Sequence, residues 1–435
     1  MKLTPFIVGA LSLALVGTAS AETITIAVVN NDDMIRMQAL SPAFTAASGV
    51  DVNWVVLEEN TLRQNVTTDI ATNGGQYDVM MIGPYEAPVW AKQGWLTPLD
   101  ALAADPGFDI DDLLPAMRGA LSVDGTLYAS PFYGESSMVY YRKDLMEKAG
   151  LTMPDAPTWE FIGKAARAMT DRANDINGIC LRGKAGWGEN MAFLTAMSNS
   201  FGARWFDESW HPQFDQPEWK ATLDTYLSLM ADAGPAGASS NGYNENMTLF
   251  QQGKCGMWID ATVAASALIG DKSTVADQVG FALAPDTGLG KRGNWLWTWA
   301  LAVPKSSQHA DAAQKFINWA TNKAYIETVA AKEGWANVPP GTRTSLYNNP
   351  AYQAAAPFAK TTLDSINSAD PQHPTVKPVP YVGVQFAAIP EFAGIATNVG
   401  QLFSAALAGQ MSADDALKQA QDSTTRDMTR AGYIK

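Results

Sequence analysis

From residue 22 onward the chain alternates between short apolar runs and stretches whose apolar residues recur every three or four positions. TITIAVV (23–29) has the length and β-branched content of a strand and runs into the polar turn Asn30-Asn31-Asp32-Asp33. Met34, Met37, Leu40 and Phe44 follow near a 3.6 period, as on one face of a helix. DVNWVVL (51–57) reads as a second strand, and Leu62, Val66 and Ile70 mark a second helix. YDVMMIG (77–83) is a continuous apolar run, the pattern of a strand buried on both faces. This strand–helix–strand–helix–strand order predicts a parallel, helix-covered sheet. Such sheets bind ligands at the carboxyl ends of their strands, which here carry Asn30–Asp33 and Gly83-Pro84-Tyr85-Glu86.

Helical periodicity dominates the middle of the chain, over Lys143–Ala149, Trp159–Met169, Glu189–Phe201 and Trp219–Ala233. Two short strands, GICL (178–181) and CGMWID (255–260), interrupt it, and a second domain is expected to start near residue 131. Phe281–Pro285 and Ala300–Pro304 are again strand-like, with a helix expected over Asp311–Ala331. Ser412, followed by Asp414 and Asp415, has the form of an N-cap with acids in the first turn of a C-terminal helix.

NWLWTWALAVP (294–304) sets Trp295, Trp297 and Trp299 at alternate positions. In a strand this spacing puts all three indoles on one side. Each indole N–H needs a partner once buried, so the arrangement suits the wall of a groove that holds both C–H surface and hydroxyls. A wide strand packed under helices is the competing reading.

Residues 1–21 read as a secretory leader, with Lys2, the apolar stretch Phe6–Val16 and the small-residue site Ala19-Ser20-Ala21 before Glu22. The stretch is too short to span a bilayer, and no later one approaches ~20 apolar residues. The expectation is an exported, periplasmic protein of two or three domains. A net charge of −14 disfavours nucleic acid and anionic membrane surfaces as partners. In an oxidising compartment Cys180 and Cys255 could pair as a disulfide, or stand as two small buried residues.

Several chemistries find little support. Gly288-Leu289-Gly290-Lys291-Arg292-Gly293 matches G-x-G-x-x-G but opens the tryptophan strand, not a helix that could meet a pyrophosphate, so it reads as a turn. His211, His309 and His373 are far apart and never at metal-ligand spacing, and no G-x-S-x-G elbow is present. No metal, cofactor or catalytic residue is therefore expected. What recurs is polar groups beside aromatic ones: Glu135 in PFYGESSMVYY, Trp187, Glu189 and Asn190 in GWGEN, Trp258 and Asp260 in MWIDATV, Arg343 in NVPPGTRTS and Gln385 in YVGVQFAAI. Carboxylate, amide and guanidinium forks can each take two adjacent hydroxyls, although singly such residues are more often solvated groups or caps.

The stretches 77–100 (YDVMMIGPYEAPVWAKQGWLTPLD), 125–151 (GTLYASPFYGESSMVYYRKDLMEKAGL), 253–261 (GKCGMWIDA), 298–321 (TWALAVPKSSQHADAAQKFINWAT) and 389–421 (IPEFAGIATNVGQLFSAALAGQMSADDALKQAQ) together carry a family resemblance. The chain resembles the extracellular solute-binding proteins of bacterial ABC sugar importers, maltose-binding-like type, and within them looks most like the sorbitol/mannitol binders because of WLWTWALAVP. The resemblance implies an α/β, two-lobe, class II periplasmic-binding fold with a ligand cleft between lobes. Residues 22–130 and 282–333 would form one lobe, and 131–281 and 334–435 the other. It places Asn30, Asn31, Asp33 and Tyr85 on the first lobe's rim, Glu135 just past the first crossover, and the tryptophan strand in the first lobe. Trp187, Asn190, Asp260 and Arg343 would come from the second lobe or its edge, and Tyr381 and Gln385 from the last helices. Ile82 stands where maltodextrin binders carry an aromatic residue, which argues against a long oligosaccharide. The implied function is a monomeric, non-enzymatic receptor that delivers a small polyol to permease subunits. A secreted carbohydrate-active enzyme (glycosidase or lyase) and a receptor for a monosaccharide or another small solute are the alternatives.

Overall fold

The computed structural model describes residues 22–435, so the leader read over 1–21 lies outside the described residues. Its larger sheet joins β1 (Glu22–Val29), β2 (Val50–Leu57), β3 (Val79–Ile82), β4 (Ser130–Glu135) and β8 (Trp297–Ala302) in the order β2-β1-β3-β8-β4. β2, β1 and β3 are parallel, as their helical connections dictate, and β8 enters antiparallel between β3 and β4. All four residues of β3 are buried, as the unbroken apolar run required.

A second, three-stranded sheet is antiparallel, with β5 (Ser137–Arg142) between β6 (Met257–Ala261) and β7 (Val279–Leu283). The chain therefore passes from the first sheet to the second at Ser136 and returns between Leu283 and Trp297. The first passage falls later than the expected boundary at 130/131, because Ser130–Glu135 pairs with the returning strand β8.

The helix α1 (Asp32–Leu40) starts where Asn31 Oδ1 accepts from the Met34 N–H at 3.0 Å. α2 (Glu59–Ala71) is capped by the Glu58 carboxylate and packs on β1 and β2. α3 (Asn190–Ser200) packs on the helices Pro217–Ala233 and Phe392–Leu407, and α4 (Tyr243–Gln251) packs on β6. The single helix expected over 311–331 is two, Ala310–Thr321 and Lys323–Glu333, broken at Asn322, whose extended backbone and side chain cap the second piece. GICL is not a regular strand; only Cys180 bridges to Trp258 of β6. Cys180 and Cys255 are joined in a disulfide with Cα atoms 5.9 Å apart, both fully buried.

Candidate ligand cavity

β8 and β4 build one wall. Trp297 lies opposite Glu135 and Trp299 opposite Tyr133, and directly opposed residues in an antiparallel pair share a face. Trp295, two positions earlier in extended chain, joins them, so all three indoles line one cavity as their spacing predicted. Asn30 and Asn31 close it from the end of β1, Glu59 and Arg63 from α2, and Arg182, Trp187 and Glu189 from the run before α3. The cavity measures about 70 Å³. At roughly 10–15 Å³ per water that is room for a handful of waters.

The wall is held by a cation. The Arg63 guanidinium carbon sits 4.0 Å from the ring centroid of Trp187, 4.7 Å from Trp299 and 4.9 Å from Trp297. Its Nε and Nη2 donate to Glu59 Oε1 at 3.0 and 2.8 Å, and Nη1 donates to Glu86 Oε1 at 2.8 Å. Around it the indoles meet edge to face, Trp297 with Trp299 at 5.6 Å and Trp187 with Trp297 at 5.8 Å. A desolvated guanidinium over indole faces is worth about 2 kcal/mol. Part of the ladder's aromatic surface thus serves the protein's own arginine. Trp297 Nε1 is buried and has no hydrogen-bond partner among the described residues.

A second cation anchors the other end. Arg182 Nε and Nη2 donate to the two oxygens of Asp260 at 2.8 and 2.6 Å, and Nη1 donates to the Gly188 carbonyl at 2.9 Å. Its guanidinium lies 5.5 Å from the rings of Trp295 and Tyr243. Burial pushes the Glu135 carboxyl well above the ordinary carboxylate range; Arg182 pulls it back and the nearby charge of Asp260 adds to the rise. Burial likewise pushes Glu189 up to about 7, against the pull of Arg182. Tyr133 Oη accepts from Asn31 Nδ2 at 2.7 Å, which leaves its own hydrogen free to donate into the cavity.

Of the residues expected at the site, the structure brings together Asn30, Asn31, Glu135, Trp187, Trp295, Trp297, Trp299 and Gln385. Gln385 lines the cavity, but its Oε1 accepts from Leu296 N (3.3 Å) and its Nε2 donates to Leu296 O (2.9 Å), so it pins the tryptophan strand. Six expected residues do not line this cavity. Asp33 is buried against Arg36 at 2.9 Å. Tyr85 backs the wall: its ring meets Trp187 edge-on at 5.0 Å, and its hydroxyl lies 3.2 Å from the carbonyls of Ile389 and Pro390. Asn190 bridges Gly186 N and Gly400 O, which fixes the turn into α3. Asp260 is fully buried, its oxygens taken up by Arg182, Trp258 Nε1 and Ala261 N. Arg343 is the clearest correction. It donates to the carbonyls of Asp109 (3.1 Å) and Thr321 (2.9 Å) beside Asp112, away from the cavity, because its guanidinium ties the chain after Pro340 to the first sheet's helices. Tyr381 also lies elsewhere, accepting from Trp205 N.

The cavity is also lined by Glu189, marked in the sequence as a polar group beside Trp187, and by Glu59, Arg63, Tyr133, Arg182 and Tyr243, which the sequence pattern did not single out. Two signals were readable. Arg63 shares a helix stripe with buried Val66 and Ile70 and with Glu59 one turn earlier, and Arg182 ends an apolar run that has no other charge.

The family model described as bacterial extracellular solute-binding protein matches residues 31–327. The chain belongs to that family. Among the relatives of this solute-binding protein is a mannitol-binding protein of Pseudomonas aeruginosa, 58% identical over 418 residues that cover 95% of each chain. An ABC transporter solute-binding protein from Agrobacterium vitis, solved with bound D-mannitol, superposes with a TM-score of 0.95 at 70% identity, over 95% of this chain and 100% of that one. A maltose-bound protein of T. maritima, 23% identical, has a TM-score of 0.79 over 93% and 99% of the two chains, and shares the fold. The fold of this family member is accordingly the α/β two-lobe, class II periplasmic-binding type, with its cleft between lobes.

Proposed function

We propose that this solute-binding protein is the periplasmic receptor of an ABC importer, that it takes a small acyclic polyol of the mannitol or sorbitol kind, and that it hands the polyol to membrane permease subunits. The observation that carries this reading is the cavity itself, with an indole wall on one side and Glu135, Tyr133, Asn31 and Arg182 around it. A polyol offers C–H surface to the indoles and hydroxyls to the Glu135 carboxyl and the Tyr133 hydroxyl, and a missing hydroxyl would leave a buried polar group unpaired. The mannitol-binding relative and the mannitol-bound neighbour support the same choice. Within this reading Trp295, Trp297, Trp299, Trp187 and Glu135 face the ligand, while Gln385, Asn190, Asp260 and Tyr85 hold the residues that do. One lobe is residues 22–135 with 284–333 and the stretch around Arg343 that is bound to it, and the other is 136–283 with the rest of 334–435. The ligand favours closure because only the closed form brings both lobes' contacts to it. The protein works as an exported monomer without a cofactor.

Thermal unfolding with mannitol, sorbitol and a set of hexoses tests the proposal. Ligand at a hundredfold its Kd should stabilise by about 2.7 kcal/mol, with the polyol recovered intact. No shift with any polyol, or chemical conversion of the sugar, overturns it.

A further inference from the structure

One turn of α2 reaches across the cleft to residues 184–188. Glu58 Oε1 lies 2.6 Å from Lys184 Nζ, and Asn60 Nδ2 donates to the Ala185 carbonyl at 3.2 Å. Arg63 stacks on Trp187 one turn along. The Glu58 carboxylate is aimed by its second role, because its Oε2 accepts from the Asn60 and Thr61 N–H groups at the helix start. The two segments approach closely at the glycines. A Cβ on Gly186 would stand 2.5 Å from Asn60 Oδ1, and one on Gly188 would stand 2.3 Å from Glu59 Oε1 and 2.8 Å from Arg63 Nε. α2 rides on the first sheet, whereas 184–188 follows the run tied to the second by the Cys180–Cys255 disulfide. Opening the lobes separates every one of these pairs.

We infer that the amino end of α2 and residues 184–188 form a cross-cleft latch, which holds the lobes shut at the cavity mouth and sets how long the ligand stays, whatever that ligand is. The inference rests on the receptor reading above. A contact present only in the closed form favours that form by a fixed factor, so it strengthens binding equally for every ligand that closes the lobes. Glu58 and Lys184 are partly exposed, so the ionic part of the latch is screened by salt.

The experiment compares wild type with Glu58→Gln and Gly188→Ala by stopped-flow release of mannitol and sorbitol. Glu58→Gln is preferred to a change at Lys184, whose ammonium also lies 3.6 Å from Glu189. Glu58→Gln should speed release of both polyols by about threefold, the scale of an exposed pair, and lose the wild type's salt dependence. Gly188→Ala should weaken both polyols at least tenfold while the ligand-free melting temperature holds. Small-angle scattering of the ligand-free proteins gives an independent arm: both variants should be more extended than wild type. Wild-type release rates in both variants, or a changed mannitol-to-sorbitol ratio (the mark of direct ligand contact), overturn the latch. A wild type that binds no polyol overturns the receptor reading instead, and the scattering arm still decides the latch.

Discussion

Trp297 fills the space that a side chain at Gly83 would need: a Cβ there would lie 2.0 Å from Cζ2 of the indole. The ring rests against bare backbone just past β3, and the Gly83 N–H donates to Glu86 Oε2, the carboxylate whose other oxygen holds Arg63. One glycine thus admits the central tryptophan and the charged network behind it.

Gly83→Ala should therefore push Trp297 off its seat. Overpacking of this kind costs about 1–3 kcal/mol. Urea unfolding should register the loss, and a polyol titration should show weakened binding. An unchanged midpoint and affinity would mean that the indole has somewhere else to go.

Arg63→Met keeps the length of the side chain and removes the cation. Glu86 is then left buried without its counter-ion, a loss of about 3–5 kcal/mol. Adding Glu86→Gln should recover part of that loss, because the stranded charge is gone. A double variant as unstable as the single one would assign the cost to lost stacking on Trp187, Trp297 and Trp299.

Periodicity and the tryptophan spacing read the parallel core of the first sheet and one wall of the cavity correctly, because both depend on which way neighbouring side chains point. What stayed hidden depends on partners distant in sequence. Asp260 and Arg343 look like ligand forks in isolation, yet each is consumed by a group 78 positions away (Arg182) or more than 200 (Asp109). Arg63 looks solvated until Glu86 and three indoles converge on it. Local pattern fixes faces; it does not fix which buried polar groups are already paired.

Removing the disulfide with Cys180→Ala and Cys255→Ala should cost about 2–4 kcal/mol, since it closes a long loop. Cys180 lies two residues before Arg182, and Cys255 five before Asp260, so the bidentate pair should loosen as well and polyol affinity should fall with stability. Calorimetry of the double variant beside wild type measures the first effect and titration the second. Equal melting temperatures would show that the second sheet's own pairing suffices.

Glu189 predicts the direction of a pH effect. Its carboxyl titrates near 7 in the folded protein, against an ordinary 4.5, because burial opposes the charged form. The folded state then holds a proton that the unfolded chain has released. Its contribution is complete below about 4.5 and is lost as pH rises through 7. Glu189→Gln cannot ionise and escapes that loss. At pH 5 the variant should melt close to wild type, gain on it as pH rises towards 7, and level off above that. If the pull of Arg182 at 3.5 Å and Lys184 at 3.6 Å outweighs burial, the order reverses and wild type gains with pH. Melting curves at four pH values across that window separate the two outcomes.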